Sequence, residues 1–338
     1  MFNQTDQMPV IRRVAIVGSG LAGLTAARLL GERNVAVSVF EKSRGPGGRM
    51  TAKRVPGGSA DIGAQYFTAR DPAFLQFLTD HAGEASFGVW QGRFGYQNNG
   101  GQWESFPDEA RYVGIPRMTA ITRELSSTID ITAQTRIERL ISNGGQWTLR
   151  DTDGGSHGPY DAVIVTAPPA QTQELFANSQ LQMLAEELNE PVRHVQPCWA
   201  AAVYFADPLE QPYEGMRCQD EVLYWVANNS SKPGRDDQGQ WWVLHANPEW
   251  SHRHQDTSPE QVTADMVKAF QRVTGCSEQP DDVVSHRWLY AKSSAEETPG
   301  FRWFDDQCIG LAGDWLSGGR VEGAFESAKG LVDRILPD

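Results

Sequence analysis

The sequence has 338 residues, of which 40% are hydrophobic and 22% charged, values typical of a globular protein with a large buried core. At about 150 residues per domain, this length favours two domains. Thirty Lys and Arg against 43 Asp and Glu give a formal charge of −13, which disfavours nucleic acid and anionic membranes as partners. The polar opening MFNQTDQMPV is not typical of a signal peptide, and we expect a cytoplasmic protein.

The cysteines show no CxxC spacing and no metal-type spacing to histidine, so we expect free, mostly buried thiols in a reducing compartment. They are Cys198, Cys218, Cys276 and Cys308. His252 and His254 lie close together, but a surface loop explains them better than a metal site. No metal is predicted.

The first predicted elements form a βαβ unit with a glycine-rich turn. A strand over VAIV is followed by GSGLAG, then a helical run LTAARLLGER, and a second strand that ends at Glu41. Gly18 allows the tight turn, Gly20 lets the backbone approach a pyrophosphate, and Gly23 lets helix and strand pack closely. The pyrophosphate would face amides at the helix N-terminus, and Glu41 would accept hydrogen bonds from ribose hydroxyls.

The loop after Glu41, KSRGPGGRMTAKR, holds five basic residues and three glycines within 13 positions. Its paired glycines would bring a second backbone segment close to the phosphates, and Arg49 would supply charge and forked donors. The alternative is a solvated basic loop.

Two later segments, DAVIVTAPP and CIGLAGD, are short and continuously apolar, as parallel-sheet strands are. The second ends at Asp314, which is suited to a ribityl hydroxyl, and runs into an amphipathic final helix. Amides of residues 320–322 at the start of that helix would point at the pyrimidine edge of a flavin. Together with the first turn and the basic loop, this end of the chain predicts FAD.

Most tryptophans fall outside these segments, in alternating stretches such as WAAAVYF and WWVLHA that favour antiparallel sheet. We therefore predict an α/β fold in which a Rossmann-like FAD-binding domain is interleaved with an α+β substrate domain that carries the antiparallel sheet. The FAD-binding domain is expected to comprise residues 10–70, 112–170 and 286–338, and the substrate domain residues 71–111 and 171–285.

The chain resembles the FAD-binding amine oxidase superfamily, with its glutathione-reductase-type nucleotide fold, and within it the bacterial renalases. The similar stretches are VGSGLAGL, EKSRGPGGRM, DIGAQYFTAR, PRMTAITREL, HGPYDAVIVTAPPAQ, LYWVANNSSKPGRDD, WWVLHANPEWS, HRWLYA and GDWLSGGRVEGA. This resemblance implies noncovalent FAD and oxidation of 2- and 6-dihydro isomers of NAD(P) to β-NAD(P)⁺, with the electrons passed to O₂ as H₂O₂. The FAD contacts that it implies are Gly18, Ser19, Gly20, Leu21, Ala22, Gly23, Glu41, Lys42, Arg49, Ala64, Gln65, Ile137, Asp314 and Val321.

Two departures from the monoamine oxidases sharpen this reading. No cysteine lies between Cys276 and Cys308, where those enzymes tether flavin through a cysteine, so a noncovalent flavin is expected. Arg320 stands where their last helix begins with the tyrosine of an aromatic cage for the amine. A guanidinium repels a protonated amine by about 4 kcal/mol at 4 Å and an effective dielectric of 20, and favours a phosphate-bearing or carbonyl substrate. The alternative is that Arg320 points elsewhere and pairs with Glu322 or another acid.

Such a reaction needs no protein base, catalytic triad or metal, since the cofactor carries the chemistry and the protein stacks the nicotinamide over the flavin. Further predicted substrate-site residues are Tyr66, His245, Trp288 and Tyr290, and Arg287 is expected either to bind an anion or to pair with an acid. His245 fits a satisfied core histidine equally well, and Trp288 and Tyr290 fit ordinary core positions somewhat better than substrate contact. Two other functions stay open: a flavin amine oxidase or desaturase of a small metabolite, and a flavin-binding protein without turnover.

Overall fold

The computed structural model describes residues 10–295 and 298–337, so most of the opening segment interpreted above lies outside the described residues. The strands are β1 (Arg13–Val17), β2 (Ala36–Phe40), β3 (Lys53–Val55), β4 (Gly58–Ala60), β5 (Phe87–Val89), β6 (Phe94–Gln97), β7 (Trp103–Ser105), β8 (Tyr112–Gly114), β9 (Ile131–Thr132), β10 (Ile137–Asn143), β11 (Gln146–Asp151), β12 (Ser156–Tyr160), β13 (Ala162–Val165), β14 (Val195–Phe205), β15 (Gly215–Arg217), β16 (Leu223–Asn228), β17 (Gln240–Ala246), β18 (Asp282–Ser293), β19 (Arg302–Phe304) and β20 (Ile309–Leu311). The helices are α1 (Leu21–Glu32), α2 (Pro72–Ala82), α3 (Thr119–Ser126), α4 (Pro169–Asn178), α5 (Gln182–Glu186), α6 (Asn189–Arg193), α7 (Pro248–Arg253), α8 (Pro259–Thr274) and α9 (Val321–Ile335). Among these helices, none is long and apolar enough to cross a bilayer.

The first large sheet has the order β19-β20-β13-β1-β2-β9, and all its pairs are parallel except β19 with β20. Val14 and Ile16 of β1 pack towards α1 and α9, whereas Ala15 packs with the core beneath β10–β12 and α4. Because helices or strands cover both faces of this sheet, both sets of side chains on each strand are buried, and the strands are continuously apolar in sequence. The predicted strands over DAVIVTAPP and CIGLAGD are thus confirmed as β13 and β20.

The second large sheet has the order β18-β14-β17-β16-β15-β6-β7 and is antiparallel apart from the pair β15 with β6. The alternation in WAAAVYF has a simple origin. Trp199 and Val203 face α8, whereas Ala200 and Ala202 face the small β3–β4 hairpin. The predicted antiparallel sheet is therefore confirmed, with β14 and β17 as neighbours.

The expected domain limits differ from the sheets in three places. Residue 286 falls inside β18, which pairs along its length with β14 and belongs to the antiparallel sheet. The excursion expected to begin at residue 71 opens with α2, whose Phe74 and Phe77 pack on Phe325 of α9, on the nucleotide-binding side. The segment from 171 continues α4 onto the core of the parallel sheet, and the antiparallel sheet resumes only at β14. These differences arise where packing between distant segments, and not a local pattern, sets the elements, and the division into two domains stays a prediction.

Candidate active site

A cavity of about 1960 Å³ lies at the carboxyl ends of the parallel strands and extends to one end of the antiparallel sheet. Ligands of open α/β sheets bind at this edge. The cavity exceeds the usual 300–1,000 Å³ of a small-molecule site, so it has room for a dinucleotide together with a second ligand. Its wall contains 13 Lys and Arg but five Asp and Glu, in a chain of formal charge −13. The cavity therefore attracts anions although the whole protein repels them.

The glycine-rich turn adopts the geometry that its sequence predicts. Gly18 has φ +108°, and its amide donates to Phe40 O at 2.8 Å. A Cβ on Gly23 would clash with the carbonyl oxygen of Gly18 and lie 3.0 Å from Thr166 Oγ1. Gly20 caps α1 through its backbone and has no side chain to satisfy the first amides. These amides open on the cavity, as a pyrophosphate site requires.

The basic loop lies against this turn. Gly47 N donates to Ser19 O at 3.1 Å, and a Cβ on Gly48 would lie 3.3 Å from Gly20 Cα. Both glycines have positive φ, at +142° and +52°. The loop therefore brings a second backbone segment next to the turn, and its contact with phosphates stays a prediction.

Glu41 is buried, and protein donors already hold its carboxylate. Oε2 accepts from Ser19 N at 3.0 Å and Ser19 Oγ at 2.8 Å, and Oε1 accepts from Ser43 N at 2.8 Å. A carboxylate accepts about four hydrogen bonds, so one site remains for a ribose hydroxyl. Next to it, Lys42 Nζ donates to Gln171 Oε1 at 3.0 Å, and partial burial lowers the pKa of the Lys42 ammonium.

Arg49 and Asp314 form a two-pronged ion pair in the cavity wall. Arg49 Nη1 donates to Asp314 Oδ2 at 2.9 Å, and Arg49 Nη2 donates to Oδ1. Two of the four acceptor sites of Asp314 are thereby occupied, which leaves two for a ligand hydroxyl. The pair fixes both side chains between the turn and the start of α9, and the Arg49 carbonyl accepts from Ala64 N at 2.9 Å.

The predicted FAD-binding residues fall into two groups. Gly18, Gly20, Leu21, Ala22, Glu41, Lys42, Arg49, Ala64, Gln65, Ile137, Asp314 and Val321 line the cavity. Ser19 and Gly23 lie behind it, where Ser19 orients Glu41 and Gly23 permits the close packing of the turn. Their roles as FAD contacts stay predictions.

An elongated, doubly charged dinucleotide fits this arrangement. The uncapped start of α1 and the glycine cradle suit a pyrophosphate, and Glu41 at one end suits a ribose. At the other end α9 begins after Arg320 without a side-chain cap. Its first amides suit the electron-rich edge of a flavin ring.

The wall opposite the parallel sheet is a single row of residues across the antiparallel sheet. Residues directly opposite each other on neighbouring strands share one face. The strand register aligns six residues in one row across the sheet, which are His286, Ala200, His245, Trp225, Arg217 and Tyr96. His286, His245, Trp225 and Arg217 of this row line the cavity.

His245 and Trp288 are tied to one main-chain acceptor. His245 Nε2 and Trp288 Nε1 both donate to Ile62 O, each at 3.0 Å. Burial lowers the pKa of His245 to about 4, so its ring is neutral at physiological pH. With Nε2 committed to a carbonyl, His245 is a positioned wall residue and has no geometry for a base at that nitrogen.

The other predicted substrate-site residues also line the cavity. The Tyr66 ring lies 5.5 Å from that of Trp225, and Tyr290 lies on β18. Arg287 stacks over Trp199 at 5.8 Å and donates to Gln255 O, so β14 and the turn after α7 hold its side chain. Their substrate contacts stay predictions.

Arg320 is exposed in the cavity wall and has no hydrogen-bond or ion-pair partner within the described ranges. The suggested pairing with Glu322 is wrong. Glu322 is 1% exposed, and its Oε1 accepts from Arg70 N at 2.6 Å and Asp71 N at 2.7 Å. As far as the described residues go, Arg320 is therefore available to an anionic ligand.

Sequence reasoning missed a buried charge cluster directly behind the cavity. Asp61 is fully buried, and its Oδ2 accepts from Lys232 Nζ at 3.1 Å and from Arg235 Nη2. Lys232 Nζ also lies 3.4 Å from Gln65 Oε1, and Gln65 Nε2 donates to Gly63 O at 3.0 Å. The cations hold the pKa of Asp61 below its usual value, and burial lowers the pKa of Lys232 to about 8. The cluster fixes the orientation of Gln65 in the wall.

The thiols support a noncovalent flavin. Burial raises the pKa of Cys198, the cysteine in the cavity wall, to about 12, and its Sγ contacts Trp199 O at 3.3 Å. Cys308 Sγ faces Asp305 O at 3.6 Å, outside the cavity lining. Neither thiol is activated as a nucleophile.

We expect acid precipitation to release all yellow chromophore into the supernatant, measured by absorbance of both fractions. Cys198→Ala should carry the same flavin content as the unmodified protein. Chromophore that stays with the precipitated protein would contradict a noncovalent flavin.

Comparison with known families agrees with this geometry. Residues 16–80 match the NAD(P)-binding Rossmann-like domain, and residues 118–336 match the flavin containing amine oxidoreductase family. The chain belongs to this family and is a flavin-dependent oxidoreductase with an α/β, Rossmann-like fold and FAD as cofactor. The predictions of enzyme class, superfamily, fold class and cofactor are thus confirmed.

Individual relatives match over short stretches or in fold alone. Hydroxyneurosporene desaturase of Rubrivivax gelatinosus is 45% identical over 58 residues, 17% of this chain and 11% of that protein. The putative flavin-containing monoamine oxidase AofH of Mycobacterium tuberculosis is 40% identical over 67 residues, which are 20% of this chain and 15% of that protein. The match thus spans a small part of these relatives.

Solved structures cover nearly the whole chain. Putrescine oxidase bound to putrescine aligns with a TM-score of 0.69 and 14% identity over 97% of this chain and 100% of that chain. A putative protoporphyrinogen oxidase from Exiguobacterium sp. aligns with a TM-score of 0.74 and 13% identity over 97% and 99%. At these identities the likeness establishes the fold.

Proposed function

We propose that this protein is a renalase-like oxidase that converts 2- and 6-dihydro isomers of NAD(P) to β-NAD(P)⁺ and passes the electrons to O₂. In the balanced reaction, one dihydronicotinamide, one O₂ and one proton yield one nicotinamide cation and one H₂O₂. The observation that carries the proposal is Arg320, which stands exposed in the cavity wall at the start of α9 without an acidic partner within the described ranges.

The charge of the cavity favours an anionic substrate. Each nicotinamide dinucleotide carries a pyrophosphate, which matches a wall in which Lys and Arg outnumber Asp and Glu by 13 to five. A protonated amine would meet repulsion from the same groups. A neutral or cationic substrate gains nothing from this wall.

Bound FAD supplies the electron acceptor for a two-electron oxidation. The residues of this chain hold and orient the substrate ring. His245, Trp225 and Tyr66 line the cavity, with the Tyr66 and Trp225 rings tilted at 49° to each other, and Asp314 and Arg49 fix another part of the cavity wall. Because its ring is neutral and its Nε2 donates to Ile62 O, His245 is not a group that can remove a proton from carbon through that nitrogen. Oxidation of a dihydronicotinamide needs no such group.

Amine oxidation is the second candidate, and the fold shared with putrescine oxidase and cyclohexylamine oxidase favours it. Peroxide production by the aerobic holoenzyme distinguishes the two. We expect rapid peroxide formation with 2- or 6-dihydro-NAD(P), much slower formation with β-NADH, and none with primary or secondary amines. Peroxide from an amine, with none from the dihydro isomers, would establish the second candidate instead.

Arg320→Gln should lower kcat/KM for the dihydro isomers by about 10- to 100-fold. This is the effect expected from losing one or two charge-assisted hydrogen bonds to the substrate. Steady-state oxygen consumption measures it, and Arg320→Lys should retain part of the activity. Arg139→Gln, which removes an equal charge from an exposed position outside the cavity lining, serves as the control. An Arg320→Gln protein as active as the control would mean that Arg320 does not bind substrate.

A further inference from the structure

The antiparallel sheet presents a second basic site, remote in the fold from the glycine-rich turn. Arg217, at the end of β15, lines the cavity with its guanidinium 5.5 Å from the ring centroid of Phe106 and 5.7 Å from that of Tyr96. In the parts of the chain that the structure describes, no carboxylate pairs with it. Aromatic rings orient this cation and leave its hydrogen-bond donors unused.

A second arginine, Arg111, also contacts the ring of Phe106. Its guanidinium lies 5.3 Å from the centroid of Phe106 and 4.5 Å from that of Phe94. Arg111 is 5% exposed, its Nη1 donates to Glu109 O at 3.0 Å, and its Nε has no partner. A buried guanidinium without a carboxylate is costly unless an anion compensates it.

Arg111 and Arg217 both contact the ring of Phe106, and within the described ranges no acid pairs with either of them. Their combined positive potential attracts an anion. The rings of Tyr66 and Trp225 are 5.5 Å apart, and the Phe106 and Trp225 rings 6.4 Å apart. These three aromatic side chains line the cavity and offer flat apolar surface to a heteroaromatic base. A ligand in which a ribose joins a phosphate to such a base is a nucleotide.

We propose that Arg217, supported by Arg111 and Phe106, binds a phosphate of the dinucleotide substrate. This inference rests on the proposed function and adds the position of the substrate's non-reacting half. The predicted FAD pyrophosphate site lies at the parallel sheet, whereas Arg217 lies on the antiparallel sheet. A second phosphate site therefore serves a second dinucleotide.

Titration calorimetry of the holoenzyme with ADP-ribose and with adenosine tests the site, because neither probe carries a nicotinamide. Arg217→Gln should weaken ADP-ribose binding about tenfold or more and change adenosine binding less than about twofold. The affinity of Arg217→Lys for ADP-ribose should lie between those of the unmodified protein and Arg217→Gln, since lysine keeps the charge and loses the planar guanidinium. Arg139→Gln is the control and should bind both probes as the unmodified protein does.

The outcomes separate the two proposals. If Arg217→Gln with full flavin content binds ADP-ribose like the control while the dihydro isomers still yield peroxide, the phosphate site is wrong and the proposed function stands. Equal weakening of adenosine and ADP-ribose would also overturn phosphate recognition. If the unmodified holoenzyme neither binds ADP-ribose nor oxidises any dihydro isomer, both proposals fail.

Discussion

Asp61→Asn should lower the free energy of unfolding of the holoenzyme by about 3–5 kcal/mol. The side chain keeps its size, but the buried ammonium of Lys232 and guanidinium of Arg235 lose their counter-charge. Chemical denaturation followed by tryptophan fluorescence measures the change, and Trp90, 5.2 Å from Lys232 Nζ, lies beside the cluster. Since the pKa of Asp61 is held below its usual value, its stabilisation is present above about pH 5 and is lost only in more acidic solution.

Glu190→Gln provides the matched control, because it removes a carboxylate that pairs with Arg193 and His194 at the surface. Exposed pairs contribute about 0–1 kcal/mol. Adding Lys232→Met to Asp61→Asn should recover part of the loss by removing one buried cation. A loss no larger than that of Glu190→Gln would show that the cluster is not buried as described.

Gly23→Val should abolish copurification of FAD and sharply reduce soluble protein. A Cβ at this position would clash with the main-chain carbonyl of Gly18, so the backbone of the turn has to move. That movement displaces the amides that would hold the pyrophosphate, and we expect flavin content to fall about tenfold or more. The ratio of absorbance at the flavin band to that of the protein measures it.

Gly31→Ala lies in the same helix and is the control, because its added Cβ meets nothing within 4 Å. This substitution should leave flavin content unchanged and stabilise the helix by up to about 1 kcal/mol. A Gly23→Val protein that keeps full flavin content would contradict the assigned packing of the turn.

The sequence predicts the parts of this fold that depend on local patterns. The turn from Gly18 to Gly23, strands β13 and β20 and the alternation in β14 follow from glycine spacing and hydrophobic periodicity. The amphipathic α9 follows in the same way, with its buried face directed to the parallel sheet. Local chemistry and tertiary packing agree in these elements.

Interactions between segments that are distant in the sequence could not be predicted from such local patterns. Arg49 and Asp314 are 265 positions apart, and Lys232 and Asp61 are 171 apart. No local periodicity marks their pairing. Arg217 was overlooked for the same reason, since only the register of β15 with β16 and β6 brings it to the cavity row. The domain limit expected at residue 286 falls within β18, whose pairing with β14 cannot be recognised from the pattern of β18 alone.

Anaerobic titration of the purified holoenzyme with separated dihydro-NAD(P) isomers tests the central claim most directly. We expect one equivalent of the 2- or 6-dihydro isomer to bleach the flavin absorption band within seconds, with β-NAD(P)⁺ as the identified product and slow bleaching by β-NADH. If neither isomer bleaches the band of a fully loaded protein, dihydronicotinamide oxidation is not its function.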